Sequence, residues 1–200
     1  MTGNYAKIVR DNLNRLYSNL PKDFAKKLPG EQEGERFIFN AFGEKCVIEP
    51  NRITLNEEEH SSVIGILISL YALNACAENC IHPPFKPFKE FPGSMPYVGA
   101  FTTHTEQLIV PHVDKIKKAV QRITKTLNGC ISPSEVGGDF SFIVYPLPKI
   151  ALCYIFYEAD DDFTASATCL FSENANQFMP ISGIADVGEY TSKTILKMID

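Results

Sequence analysis

Apolar residues recur at three- and four-residue steps through Tyr5, Ile8, Val9, Leu13, Leu16, Tyr17 and Leu20, the spacing that gathers one face of an amphipathic helix. Pro21 closes it. The polar, glycine-containing stretch 29–34 reads as a loop. Behind it, residues 37–39, 45–48 and 52–55 read as three short strands that turn at Gly43 and at Pro50-Asn51. Asn56 followed by Glu57, Glu58 and Glu59 predicts a helix start: the Asn side chain accepts a backbone N–H, and acidic charge sits near the positive end of the dipole. The predicted helix covers about 57–75 and is apolar on nearly every side between Val63 and Leu73, so it is expected to be buried with the rest packed around it.

Residues 82–96 carry five prolines and the phenylalanines Phe85, Phe88 and Phe91, which suits an extended connection lying on a core rather than a helix. Val113, Ile116, Val120, Ile123 and Leu127 then form a clean helical face that stops at Asn128-Gly129. Residues 140–145, 150–157 and 165–171 read as strands rich in aromatic and branched side chains, without polar alternation, which places them centrally with both sheet faces covered. A last amphipathic helix starts near Ser182. Strands joined by short turns, with helices before, between and after them, predict an α+β fold: a mostly antiparallel sheet with helices packed on it. At 200 residues the chain is expected to be one domain, with an N-terminal helical segment over residues 1–30.

The net charge of -5 argues against a binder of nucleic-acid backbones, which needs clustered Lys and Arg. Lys115, Lys117, Lys118 and Lys125 fall on the polar side of a helix and read as a solvated face. Without a basic-then-apolar leader or an apolar run of about 20 residues, the expected location is the cytoplasm, away from membranes. Its six cysteines are then expected to be thiols.

Few residues carry candidate chemistry. Cys76, Cys80 and His82 lie within seven residues and offer three zinc-type ligands, though a fourth would have to come from His104 or His112. At the end of a buried helix, packing or capping is the simpler reading for all three. His104 and His112 flank Leu108-Ile109-Val110 and lack a nearby nucleophile signature, so they read as surface histidines. No nucleophile elbow, phosphate-cradling loop, dinucleotide fingerprint or metalloprotease helix occurs, and no cofactor is implied by a motif. Asp160, Asp161 and Asp162, just past a buried strand, are either a cation or acid site or a solvated hairpin loop.

The run Asp139 to Phe163, with its Pro146-Leu147-Pro148-Lys149 corner and acidic end, followed by Ser166-Ala167, Leu170-Phe171 and Pro180, resembles the domain of unknown function family 3786. So do Phe88 to Tyr97, Ala100-Phe101 and Thr105-Glu106 upstream. The resemblance covers the chain from about Arg36 onward, with Tyr157 where the family commonly has Trp and Thr164 where it has Pro. Members sometimes follow a four-cysteine iron–sulfur domain and occur in anaerobes beside corrinoid or methyl-transfer proteins. The resemblance therefore implies a stand-alone module without catalytic residues to carry over. The expectation is a small-molecule- or cofactor-binding or accessory module, linked to corrinoid or iron–sulfur redox enzymes. Its expected pocket is lined by Phe88, Phe91, Tyr97, Tyr154 and Tyr157 and rimmed by Asp160 to Asp162. The alternatives are a hydrolase- or lyase-like enzyme using the aspartates with a histidine, and a protein–protein interaction module working through the proline–phenylalanine segment. Expected partners are a small-molecule ligand or a redox or methyl-transfer protein.

Overall fold

The computed structural model describes residues 2–132 and 136–199. Ten strands form two five-stranded antiparallel sheets among the described residues, rather than one sheet. The first is a meander of β1 (Glu31–Glu33), β2 (Arg36–Ala41), β3 (Glu44–Ile48), β4 (Ile53–Leu55) and β5 (Glu58–Glu59). The second has the order β6-β10-β9-β8-β7. It comprises β6 (Phe85–Pro87), β7 (Cys130–Ile131), β8 (Phe140–Leu147), β9 (Ile150–Tyr157) and β10 (Ser166–Ser172). Helices α1 (Thr2–Ser18), α2 (Phe24–Lys27), α3 (Val63–Leu73), α4 (Val98–Phe101), α5 (Val113–Thr126) and α6 (Ile181–Lys197) complete the chain with short 3-10 and π turns.

Two-residue hairpin turns build the first sheet, and they correct the expectation at Asn56. Asn56 and Glu57 both have positive φ, 46° and 75°, and join β4 to β5 with Leu55 opposite Glu58, the signature of a type I′ turn. Asn suits that turn as well as it suits a helix cap, and its side-chain oxygen here accepts the Lys45 N–H at 3.1 Å. The helix begins only at Val63, behind Ser62. Phe42 and Gly43 repeat the pattern between β2 and β3, with φ of 52° and 84°. The expected loop 29–34 contains β1, three exposed residues that pair with β2 as an acidic edge strand, the kind of edge that resists further pairing.

Strand β9 is buried at every position from Ile150 to Phe156, as expected of a central strand. Its inner face joins the main core, which runs without a break from Val9 and Leu13 of α1 through Phe37 and Ile48 to Phe142, Phe156, Ile184 and Ile195. Fully burying a side chain of this size contributes about 1.5–3 kcal/mol. The outer face holds a smaller cluster, Ile143, Ala151, Cys153 and Ile155, covered by Cys80, Phe85 and Val136. Helix α3 is buried through Leu67, Ile68, Tyr71 and Ala72. On one side α1 packs close to it, where Gly65 lies beside Val9 and Asn12 donates to Ser69 Oγ at 2.9 Å.

The corner between β8 and β9 ties the two sheets together. Pro146 lies where the β8–β9 register shifts, a position where a strand tolerates proline, and its carbonyl accepts the Phe42 N–H at 2.7 Å. Lys149 is buried. Its Nζ donates to the Cys76 carbonyl at 2.7 Å and lies over the Phe178 ring, while its N–H donates to Tyr71 Oη.

Candidate functional site

The structure does not gather the aromatic residues expected to line one pocket. Phe88 and Phe91 are 3% and 2% exposed and pack around Phe171. Tyr154 is 0% exposed, with its hydroxyl 3.0 Å from Ser192 Oγ. Tyr97 and Tyr157 are 37% and 49% exposed, Tyr157 at the far end of β9. Asp160, Asp161 and Asp162 are exposed in the β9–β10 loop. There Asp160 Oδ1 accepts the N–H groups of Asp162 at 2.9 Å and Phe163 at 2.7 Å, so the first aspartate shapes the turn.

Cys76, Cys80 and His82 likewise turn to separate neighbours. The Cys76 carbonyl holds Lys149, the Cys80 thiol lies against Ser172, and His82 Nε2 shares a hydrogen bond with Tyr145 Oη and stacks on Phe85. Among the described residues no three His, Cys, Asp or Glu side chains converge as a metal site requires. His104 is exposed and His112 precedes α5 without a side-chain capping bond, and among the described residues neither joins the aspartates in a metal-type cluster. The expected connection over 82–96 is partly ordered: β6 pairs with the end of β10, and two 3-10 turns seat Phe88 and Phe91 in the core.

A different group stands out where that segment returns to the sheet. Helix α4 runs straight into a π-helical turn, Thr102–Gln107, which lies along β10. Strand β6 covers only Leu170, Phe171 and Ser172, so the Ser166–Cys169 stretch of β10 has no strand on that side. Glu106 takes the vacant place: its Oε1 accepts the Cys169 N–H at 3.1 Å. Two depressions meet at Glu106 and Thr102. One, of about 320 Å³, is lined by Phe88, Val98, Phe101 and Leu170 with Lys89 at its lip. The other, of about 360 Å³, is lined by Val110, Pro111, Ala165 and Ala167.

Burial raises the Glu106 carboxyl above the usual carboxylate range, opposed by hydrogen bonds from the Cys169 N–H and the Thr102 hydroxyl. Behind it, burial pushes the Cys169 thiol and the Tyr154 phenol well above their ordinary values, so both are neutral. The π turn rests on α6, where Ser192 Oγ donates to the Thr105 carbonyl at 2.8 Å. Only glycine fits at position 188 of α6, since a Cβ there would lie 2.6 Å from the Phe101 ring and 3.1 Å from Thr105 Oγ1. That hydroxyl is buried and has no hydrogen-bond partner among the described residues. A larger cleft of about 730 Å³ opens at the junction of the sheets, but the side chains of Glu31, Asn40, Lys45 and Asn128 around it are exposed.

The residues that build this seam fall within the resemblance noted in the sequence, and the family's profile matches residues 21–194. The chain belongs to the family of domains of unknown function DUF3786. No curated protein and no solved structure matches it. No helix among the described residues is long and apolar enough to cross a membrane.

Proposed function

We propose that the protein is a small-molecule-binding module whose site is the seam between the π turn and β10, with Glu106 as its polar anchor. The observation that carries this reading is the position of Glu106: a half-buried carboxyl on a π turn, at the meeting point of two apolar depressions. Single π turns recur at functional sites, and an apolar cleft with one perturbed ionisable group is the usual form of a ligand site. The Phe88 end is near the lower limit of the ~300–1,000 Å³ common for such clefts, which suits a fragment-sized ligand. A tetrapyrrole is far larger. The link to corrinoid or iron–sulfur redox enzymes, which rests on family resemblance, is therefore read as partnership with such a protein rather than as holding its cofactor in the seam.

Binding is favoured over hydrolase or lyase chemistry because the one thiol of the lining, Cys169, is buried and kept protonated. Screening a fragment library by amide NMR tests the site. At least one fragment class is expected to shift the amides of residues 101–107 and 168–170, and Thr168→Trp, which fills the Phe88 end, is expected to abolish those shifts. Fragments that perturb only other surfaces would remove the seam as the site.

A further inference from the structure

We propose that the ligand of the seam is a small hydrophobic ammonium ion, a monoamine whose charged head meets Glu106 and whose apolar body lies against Phe88, Phe101 and Leu170. This rests on the seam being a ligand site and adds the sign of the ligand's charge. Glu106 is held by two neutral donors, yet no Lys, Arg or His pairs with it among the described residues. A carboxylate drawn out of water without a counter-charge is unfavourable, and neutral hydrogen bonds offset that cost only in part. An ammonium ion delivered with an apolar body supplies the missing charge and fills the depression in one step.

The walls suit the same ligand. Phe88 and Phe101 stack with ring centres 4.5 Å apart and line the depression, so the body of the ligand meets aromatic carbon while its cation lies near ring edges and faces. The chain's net charge of -5 favours the approach of a cation. The opposing charge is Lys89, an exposed side chain at the lip. Lys89 disfavours a second positive centre at that end, which selects a monoamine over a diamine.

The ionisable groups facing Glu106 are Lys89 from the turn before α4, Cys169 from β10 and Tyr154 from β9 behind it. Burial keeps the thiol and the phenol neutral. Glu106 is thus the carboxyl of the seam, and burial raises it from the ordinary glutamate value. An amine is expected to bind more tightly as pH rises through the raised Glu106 range, to level off, and to weaken only when the amine itself loses its proton.

Benzylamine and benzyl alcohol form a matched pair that separates the two levels of the proposal. On the full chain at pH 8, benzylamine is expected to bind at least about tenfold more tightly than the alcohol, as a charge-assisted contact in a half-buried site allows. The preference shrinks as the pH is lowered through the raised Glu106 range. Glu106→Gln keeps an acceptor for the Cys169 N–H and is expected to erase the preference by weakening the amine much more than the alcohol. Equal binding of the two at pH 8, or a preference that survives in the Gln variant, overturns the ammonium assignment. If the alcohol alone shifts the seam amides, the seam stands and its ligand is neutral. If neither does, both readings fail.

Discussion

The acidic loop at Asp160, Asp161 and Asp162 and the seam at Glu106 lie at opposite extremes of charge density and burial. The loop sets three carboxylates side by side in water, where high dielectric and free hydration make each of them cheap to keep. The seam holds one carboxyl, half withdrawn from water between apolar walls, and that single group is displaced from its ordinary titration range. Density of charge along the chain is thus a poor guide to chemistry here. What shifts a carboxyl is the loss of water around it, and that is set by packing between segments far apart in sequence.

The sharpest way to break the contrast is to remove a wall of the seam. Phe101 is buried, stacks on Phe88 and lies 5.6 Å from Phe171, so Phe101→Ala opens a cavity in the core as well as in the seam. A loss of about 3–5 kcal/mol in unfolding free energy is expected. In whatever fraction stays folded, Glu106 gains water and its carboxyl moves back toward the ordinary range. Denaturant unfolding and an NMR titration of the Glu106 side chain check the two parts, and a carboxyl that keeps its displaced range after the wall is gone would show that burial by Phe101 is not the cause.

The loop responds on a smaller scale. Asp160 Oδ1 accepts two backbone N–H groups, and Asp160→Ala is expected to cost about 1 kcal/mol. Asp161→Ala makes the same change in the same loop, where the carboxylate has no backbone partner among the described residues, and is expected to stay within about 0.5 kcal/mol. Thermal unfolding of the two variants tests whether the triplet is one shaping residue with two solvated neighbours. A larger loss at Asp161 than at Asp160 would show a role for the triplet that the turn does not explain.

The same contrast marks what the chain discloses in one dimension. Helical and strand periodicity located α1, α5, α6 and the three long strands of the second sheet, because each of those patterns is decided by burial of its own residues. Asn56 reads as a helix start because one side chain serves a helix cap and a type I′ turn equally well, and the choice between them is made by the pairing of Leu55 with Glu58. The two-sheet arrangement was hidden because the sheets are joined through the Pro146 carbonyl and a shared core, neither of which leaves a periodic trace. The candidate site was missed for a related reason. Phe88, Phe101, Thr105 and Glu106 all lay within the family landmark, but as a pattern of letters it gave no sign that Glu106 fills the open side of β10. The histidines and the triplet drew attention through residue type alone.

The smallest expected effect is a difference of slope, and it bears most directly on why Glu106 is there. Burial raises the carboxyl in the folded chain, so between the ordinary glutamate range and the raised one the native state binds more protons than the unfolded state. Stability therefore falls as pH rises through that window. Glu106→Gln has no proton to exchange at that position and keeps an acceptor for the Cys169 N–H. Relative to the native chain, the Gln variant is expected to gain stability as pH rises through the window and to hold that gain above it, as read by denaturant midpoints at several pH values. A difference that is flat, or that runs the other way, would mean that the two donors outweigh burial and that the carboxyl is satisfied as it stands. If the gain is found, Glu106 costs the folded chain stability near neutral pH, and saturating benzylamine is expected to flatten the native slope by supplying the counter-charge. A residue that lowers stability alone and ceases to do so when a cation is bound acts as a ligand contact, and no exposed aspartate of the loop can reproduce that pair of results.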